Sequence, residues 1–111
     1  MAQQPDIQKM NAMMQQIQQM KAELAAAQEK LKDEVVEASA GGGMVTVKVA
    51  GDLQVKSIEI DPKAIDPDDV EILQGMVLAA VTEALRSAQE LADQRISAIT
   101  GRMAGLGLPG M

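Results

Sequence analysis

The chain has 111 residues, of which 16 are acidic and 10 are Lys or Arg, and it contains no Cys, His, Phe, Tyr or Trp. This composition excludes thiolate and imidazole metal sites, cysteine nucleophiles and every catalytic triad that needs a histidine base. The length allows one domain, whose core must be built from Met, Leu, Ile, Val and Ala. No signal-peptide pattern or membrane-spanning apolar run is present, so we expect a soluble cytoplasmic protein.

The first predicted element is a long amphipathic helix over residues 6–33, with Pro5 and Asp6 at its start. Its apolar residues fall on the a and d positions of one heptad register, which is typical of a helix that packs on a core or on a partner helix. These residues are Ile7, Met10, Met14, Ile17, Leu24 and Leu31. Lys21 and Gln28 interrupt the register at a positions, so the seam is imperfect.

The pattern then changes to period two. Residues 36–40 and 45–49 alternate between apolar and polar around Gly41–Gly43, which predicts a β-hairpin. A turn at Gly51 leads into a third strand, whose apolar phase slips by one residue near Ser57, as a β-bulge or a strand twist would produce. The result is a three-stranded antiparallel meander. Its expected core residues are Val45, Val47 and Val49.

A second long helix is predicted to follow. Asp66 is expected as its N-cap and Pro67 as its first residue, because these residue types favour those positions. Apolar residues recur at helical spacing as far as Ile99, and Gly101 is expected to end the helix. The expected core residues of this helix are Val77, Val81 and Leu85.

These elements give an α+β fold in the order helix, three strands, helix. We assign residues 1–100 to a single domain and residues 101–111, which are rich in Gly, to a flexible tail. The helices should be about 40 and 50 Å long, whereas strands of six to eight residues reach about 20 to 27 Å. Because the sheet cannot cover both helices, we favour a homodimer over a monomer whose helices fold back as an antiparallel pair.

No catalytic, metal or cofactor site is expected. The acidic residues between 61 and 71 lack the spacing of a calcium loop and suit helix capping instead. Gly41–Gly43 is not followed by the Lys and Ser or Thr of a phosphate-binding loop, and no serine has an imidazole to activate it. We therefore do not expect an enzyme.

Charge is distributed unevenly along the chain. Residues 1–32 carry a net charge of +1, residues 33–71 carry −7, and residues 72–111 are neutral, which gives the total of −6. A polyanion would be repelled by the middle of the chain and tolerated at the far ends of the helices. An ordinary solvated helix surface explains the same cations equally well.

Three segments stand in a distinctive order: MNAMMQQIQQM at 10–20, GGGMVTVKVAG at 41–51 and VKSIEIDP at 55–62. The residues that follow and extend this pattern are Asp68, Asp69, Leu73, Val77, Ala79 and Ala80. Together they resemble the YbaB/EbfC family of bacterial nucleoid-associated proteins, over nearly the whole chain. The resemblance implies a tweezer-shaped homodimer in the nucleoid that binds duplex DNA between projecting helical arms. It also implies little sequence preference and a role in nucleoid organisation and gene regulation.

The resemblance further implies that cations on both helices contact DNA phosphates. The candidate DNA-binding residues are Lys9, Lys21, Lys30, Lys32, Arg86, Arg95 and Arg102. The acidic total and the lack of aromatic residues indicate weak, salt-sensitive contact without base stacking. A second interpretation stays open: a prefoldin-like holdase or protein-interaction adaptor that grips other chains with the Met-rich first helix.

Overall fold

The computed structural model describes the backbone of residues 7–104 and the side chains of residues 7–101. The elements in chain order are helix α1 (Ile7–Leu31), strands β1 (Val35–Ala40), β2 (Val45–Ala50) and β3 (Val55–Ile60), a 3-10 turn (Pro62–Ala64) and helix α2 (Val70–Ala104). This order confirms the predicted α+β fold. The expected helix start at Pro5 and Asp6 lies outside the described residues.

The three strands form one antiparallel sheet in the order β1-β2-β3. The first hairpin turns through Gly41–Gly43, whose φ angles of +65°, +66° and +92° are ones that side chains rarely allow. The register of β2 and β3 shifts between Lys48, which faces Ser57, and Val49, which faces Val55. The irregularity predicted near Ser57 is therefore confirmed.

The core lies between α2 and one face of the sheet. Val45, Val47 and Val49 of β2 have no exposed surface, and neither do Ala80, Ala84 and Ala88 of α2. Alanines four residues apart share one side of a helix. Because their side chains are small, the strands pack close to the helix axis along this alanine stripe. The predicted residues Val77, Val81 and Leu85 are partly buried against this cluster.

The beginning of α2 differs from the prediction. The helix begins at Val70, so Asp66 is not its N-cap and Pro67 is not its first residue. The Asp66 carboxylate instead accepts a hydrogen bond of 2.9 Å from the Asp68 N–H, which stabilises a turn before the helix. The predicted combination of capping acid and proline occurs a few residues earlier, where Asp61 caps the 3-10 turn.

The end of α2 also differs from the prediction, because the helix passes through Gly101 and continues to Ala104. A glycine inside a helix costs only about 1 kcal/mol relative to alanine, and the Arg, Met and Ala that follow are all good helix formers. Residues 105–111 lie outside the described residues. The flexible tail and the domain boundary at residue 100 stay predictions.

Helix α1 is fixed to the sheet at its C-terminal end. The Gly51 N–H donates to the Leu31 and Glu34 carbonyl oxygens, both at 2.8 Å. A side chain at Gly51 would place its Cβ 2.6 Å from Leu31 Cδ2 and 2.9 Å from Leu31 O, so only glycine fits here without movement. Leu31 itself is buried.

The two helices run antiparallel beyond this junction. Leu31 lines one cavity with Ala92, whereas Ala27, earlier on α1, lines another with Ile99, later on α2. At equal rise per residue, α1 residues before about Met20 therefore extend past Ala104. The structure is accordingly elongated, with principal extents of 85 × 23 × 15 Å. Neither described helix is long and apolar enough to cross a membrane.

Candidate nucleic-acid interface

We call the projecting segment Ile7–Met20 of α1 the arm. All but one of its residues are exposed, and Met20, the exception, is half-buried. The arm contains a single charged residue, Lys9. Lys21 follows it directly, so the arm itself is weakly basic and none of its residues, Ile7 to Met20, is acidic.

The α1 cations do not form one stripe. At 100° per residue, Lys9 lies about 120° from Lys21 around the helix, and Lys32 lies in the turn that follows α1. Lys30 lies on the side that faces α2, where it lines a cleft between the helices. Lys32 pairs with Glu29 at 3.1 Å, and both side chains are mostly exposed. Within the described residues, no ion pair holds Lys9, Lys21 or Lys30.

The cleft between the helices contains two of the predicted cations, Lys30 and Arg95. The cleft has a volume of about 440 Å³ and is lined by Ala27, Lys30, Glu34, Arg95 and Ile99, among others. Arg95 binds Glu34 through two hydrogen bonds, Nη2 to Oε1 at 2.7 Å and Nε to Oε2 at 3.2 Å. This two-point contact fixes the guanidinium at the base of the cleft, with half of its side chain exposed.

The same contact shifts the ionisation of both partners. The hydrogen bond and charge of Arg95 hold the pKa of Glu34 below its ordinary value, and Lys30 adds to the effect. Glu34 in turn raises the pKa of Arg95. Glu34 therefore stays ionised at neutral pH and occupies two of the five N–H donors of Arg95, which leaves the others for a phosphate.

Arg86 lies on the opposite side of α2. It is nine residues from Arg95, which places the two side chains about 180° apart around the helix. Arg86 is paired with both Glu83 and Glu90. Its hydrogen bond lowers the pKa of Glu83, and the two carboxylates raise the pKa of Arg86. One duplex lying along the cleft cannot contact both arginines of the same chain.

The seven predicted DNA-binding residues therefore do not lie on one surface of the chain. Lys30 and Arg95 meet at the cleft, Lys9 and Lys21 lie on or beside the arm, and Lys32 lies at the base of α1. Arg86 stands apart from them. The backbone of Arg102 belongs to α2, and its side chain lies outside the described part of the chain.

Sequence reasoning missed Glu34 as the partner of Arg95. The two residues are 61 positions apart, and no local spacing links them.

Sequence reasoning also missed a surface that we call the apolar strip. The strip consists of Ile58 and Ile60 on β3 and Leu73, Val77, Leu78 and Val81 on α2. The alternation of apolar residues along β3 indicates that one face of this strand is apolar. The sequence does not show how many strands α2 covers, and therefore did not show that this face is exposed.

The apolar strip arises because α2 packs on β1 and β2. Ile58 and Ile60 point to the same face as the buried Val47 and Val45, which they oppose in the ladder, yet they are 46% and 38% exposed. Leu78 beside them is 68% exposed. A shallow cavity of about 420 Å³ runs between β3 and α2. Large apolar side chains in one patch of this kind mark an interaction surface.

The predicted a and d residues of the arm are likewise exposed. Among the described residues, Ile7, Met10, Met14 and Ile17 lie outside the core and are 71%, 51%, 57% and 42% exposed. Leu24, further along α1, is half-buried. These four residues extend past the described end of α2, and their assignment as dimer or core residues stays a prediction.

Comparison with known proteins places this arrangement among DNA-binding proteins. Residues 6–103 match the family model of the YbaB/EbfC DNA-binding family. A nucleoid-associated protein of Alkaliphilus metalliredigens is 47% identical over 102 residues, covering 92% of this chain and 87% of that protein. A nucleoid-associated protein of Acetivibrio thermocellus is 50% identical over 101 residues, covering 91% of this chain and 88% of that protein.

A solved structure shares the fold. The crystal structure of an uncharacterized protein from Helicobacter pylori superimposes with a TM-score of 0.60 at 27% sequence identity, covering 70% of this chain and 90% of that one. The similarity in sequence and in structure extends over most of the chain.

Proposed function

The chain belongs to the YbaB/EbfC DNA-binding family, and we infer from this membership that it is a nucleoid-associated protein that binds DNA. The observation that carries the inference is the extent of the family match, which includes α1, the whole sheet and α2 up to residue 103. Relatives named as nucleoid-associated proteins support a location on the nucleoid. We further propose that the protein works by binding and shaping duplex DNA, with little sequence preference and without catalysis.

The proposed binding unit is a homodimer joined through the apolar strip. The described residues of the single chain leave Ile60 and Leu78 exposed, because α2 lies over the other two strands. A two-fold axis at the strip would cover each copy's β3 with the other copy's α2, which makes the surface self-complementary. The cleft and the arm of each chain then stay free for DNA.

The proposed DNA contacts are phosphate contacts from the arm and cleft cations. Lys9, Lys21, Lys30 and Arg95 lie on the part of the molecule remote from the acidic segment 33–71 or at its border. Four such cations in each chain of a dimer give at most about eight phosphate contacts, each of which releases a condensed counterion. No aromatic residue is present for stacking, so binding should be weak and favour no particular sequence.

Fluorescence anisotropy of a labelled duplex, titrated with the protein over a series of salt concentrations, tests the binding proposal. We expect log affinity to fall linearly with log salt concentration, with a slope near −0.9 for each phosphate contacted. Duplexes of unrelated sequence should give the same curve. No complex at tens of micromolar protein and low salt would contradict the proposal.

Sedimentation analysis tests the dimer. Leu78→Asp places a charge at the centre of the apolar strip and should convert dimers into monomers, because burying an unpaired carboxylate at an interface is costly. Ala79→Asp, on the exposed neighbouring side of α2, is the matched control and should leave the dimer intact. Equal masses for both variants would show that the strip is not the interface.

The exposed arm favours a second candidate function, a holdase that binds unfolded chains. Met10, Met13 and Met14 are each at least half exposed, and flexible methionine surfaces adapt to many partners. The test is whether the protein suppresses the aggregation of a denatured client protein. Suppression without any salt-dependent DNA complex would favour the holdase function over DNA binding.

A further inference from the structure

The arm presents a seam of large apolar side chains that no described residue of the single chain covers. Ile7, Met10, Met14 and Ile17 are spaced three, four and three residues apart within one described helix, and each is more than 40% exposed. This spacing places them at successive a and d positions, along one side of the helix. The seam ends at Lys21, where the next a position is charged.

The seam and the apolar strip are separate surfaces. Continuing the antiparallel pairing of the helices places Met14 about 45 Å from Leu78 along the α2 direction. A dimer that buries the strip therefore does not cover the seam through the same contact. Each dimer would carry two uncovered seams.

We propose that the occupant of each seam is the arm of another dimer, packed antiparallel so that Met10 of one arm meets Met14 of the other. The proposal goes beyond DNA binding and rests on the strip dimer proposed above. It makes the protein a linker that joins dimers end to end.

The charge pattern of the arm favours a second copy as its occupant. The positions that flank an a and d seam select partners by charge, and like charges there drive identical helices apart. In this arm the flanking residues carry no charge at all. They are Asn11 and Gln18 at e positions and Met13 and Met20 at g positions. Lys9 lies at a c position, away from the seam, so two identical arms can approach without repulsion.

Because the arm is short, we expect two arms to pair stably only when their dimers are held close together on DNA. Helices shorter than about 12 to 15 residues are marginal on their own, and two heptads bury far less than the roughly 800 Å² per partner of a stable interface. Free dimers should therefore pair weakly. Dimers bound to one long duplex, or to two neighbouring duplexes, are held at a high effective concentration, which favours the same contact.

Cysteine crosslinking tests the pairing cleanly, because the chain has no cysteine of its own. An equal mixture of full-length Met10→Cys and Met14→Cys chains is equilibrated in a glutathione redox buffer, with and without a long duplex. Ala12→Cys is the matched control, since it lies on the exposed opposite side of the same helix turn. We expect disulfide-linked pairs of Met10→Cys with Met14→Cys, and a yield about tenfold or more higher on DNA.

The native mass of the linked species then decides between pairing within and between dimers. Light scattering should show four or more chains, and adding Leu78→Asp should reduce the linked species to two chains. Linked species that contain only two chains in the intact protein would mean that the arms close within one dimer, which overturns the proposal. So would equal linking of Ala12→Cys, or no linking at either methionine position. If Leu78→Asp leaves the mass unchanged before oxidation, the strip dimer is wrong whatever the crosslinking shows.

Discussion

The core layer and the arm of this protein use apolar residues in opposite ways. The core layer, where α2 lies on the sheet, is closed by Val45, Val47, Val49 and the alanine stripe, all without exposed surface. The arm carries larger side chains, with Ile7 and Met14 more than half exposed. In most proteins the large apolar residues are the buried ones. Here Val and Ala side chains close the core layer, whereas the larger apolar side chains of the arm are exposed and can contact other molecules.

Because of this difference, added side-chain volume should lower the stability of the fold strongly in the core layer and little in the arm. Ala84→Leu inserts three carbons where the helix touches the strands, and we expect it to lower the free energy of unfolding by about 3 kcal/mol. Urea denaturation followed by circular dichroism measures the change. Ala79→Leu, on the exposed side of α2, should change it by less than about 0.5 kcal/mol. Equal effects would show that α2 does not pack through its alanine stripe.

The junction between the two regions should be the next most sensitive point. Gly51→Ala places a methyl group against the Leu31 carbonyl and side chain, so we expect a loss of about 2 kcal/mol in unfolding free energy and a shift of α1 relative to the sheet. Gly75→Ala has open space around its Cβ and should instead stabilise α2, by about 0.5 to 1 kcal/mol. If both substitutions stabilised the protein, α1 would not be fixed at Gly51.

Smaller effects are expected at the ion pair between Arg95 and Glu34. Removing the Glu34 charge frees the guanidinium for phosphate, so Glu34→Gln should raise DNA affinity by about threefold, in anisotropy titrations at low salt. Glu37→Gln removes the same charge from an exposed position on β1 and serves as the control. An equal gain in both variants would mean that only net charge matters.

The pH dependence of that pair has a definite sign. Because Arg95 lowers the pKa of Glu34 in the folded protein, the pair stabilises the fold above the ordinary glutamate pKa of 4.5 and stops doing so as the pH falls through the lower folded value. Titration of the Glu34 carboxyl by NMR should show this lowered pKa. Arg95→Gln should bring it back toward the ordinary range, and an unchanged titration would remove Arg95 as the cause.

The arm should show the smallest effect on stability. Met10→Gln and Met14→Gln together remove two apolar side chains that the single chain does not bury, so the unfolding free energy should change by less than about 0.5 kcal/mol. Denaturation at low protein concentration, where contacts between copies are disfavoured, is the suitable measurement. A loss comparable with that of Ala84→Leu would show that the arm is part of the core after all.

The order of elements was predictable because each has a strong local signal. Alternating valines, three consecutive glycines and the long helical periodicity predicted the three strands and two helices, and the phase slip near Ser57 predicted the irregular register. The ends of α2 were less predictable, since Asp66 and Gly101 are compatible with more than one local structure. A capping residue is a preference of about 1 kcal/mol, which neighbouring turns and helix formers can override.

The candidate site was less predictable than the fold. Which cations share a surface depends on the rotation of each helix against its neighbour, and the sequence alone does not contain that angle. Arg86 and Arg95 were both predicted to contact DNA, and the structure places them on opposite sides of α2. Glu34, which accepts hydrogen bonds from two Arg95 donors, lies in the connection between α1 and β1. The exposed strip on β3 follows from α2 covering two strands rather than three, which is a tertiary property.

The central claim is that DNA is bound by the arm and cleft and not by the acidic middle of the chain. One anisotropy salt series tests it, comparing Lys9→Gln, Lys21→Gln and Lys30→Gln in one chain with Lys48→Gln, Lys56→Gln and Lys63→Gln in another. Both variants lose three positive charges. The first should lose most of its affinity, with a salt slope reduced by about 5 for a dimer, and the second should keep the slope of the unmodified protein. Equal losses of affinity and slope in the two variants would contradict the claim.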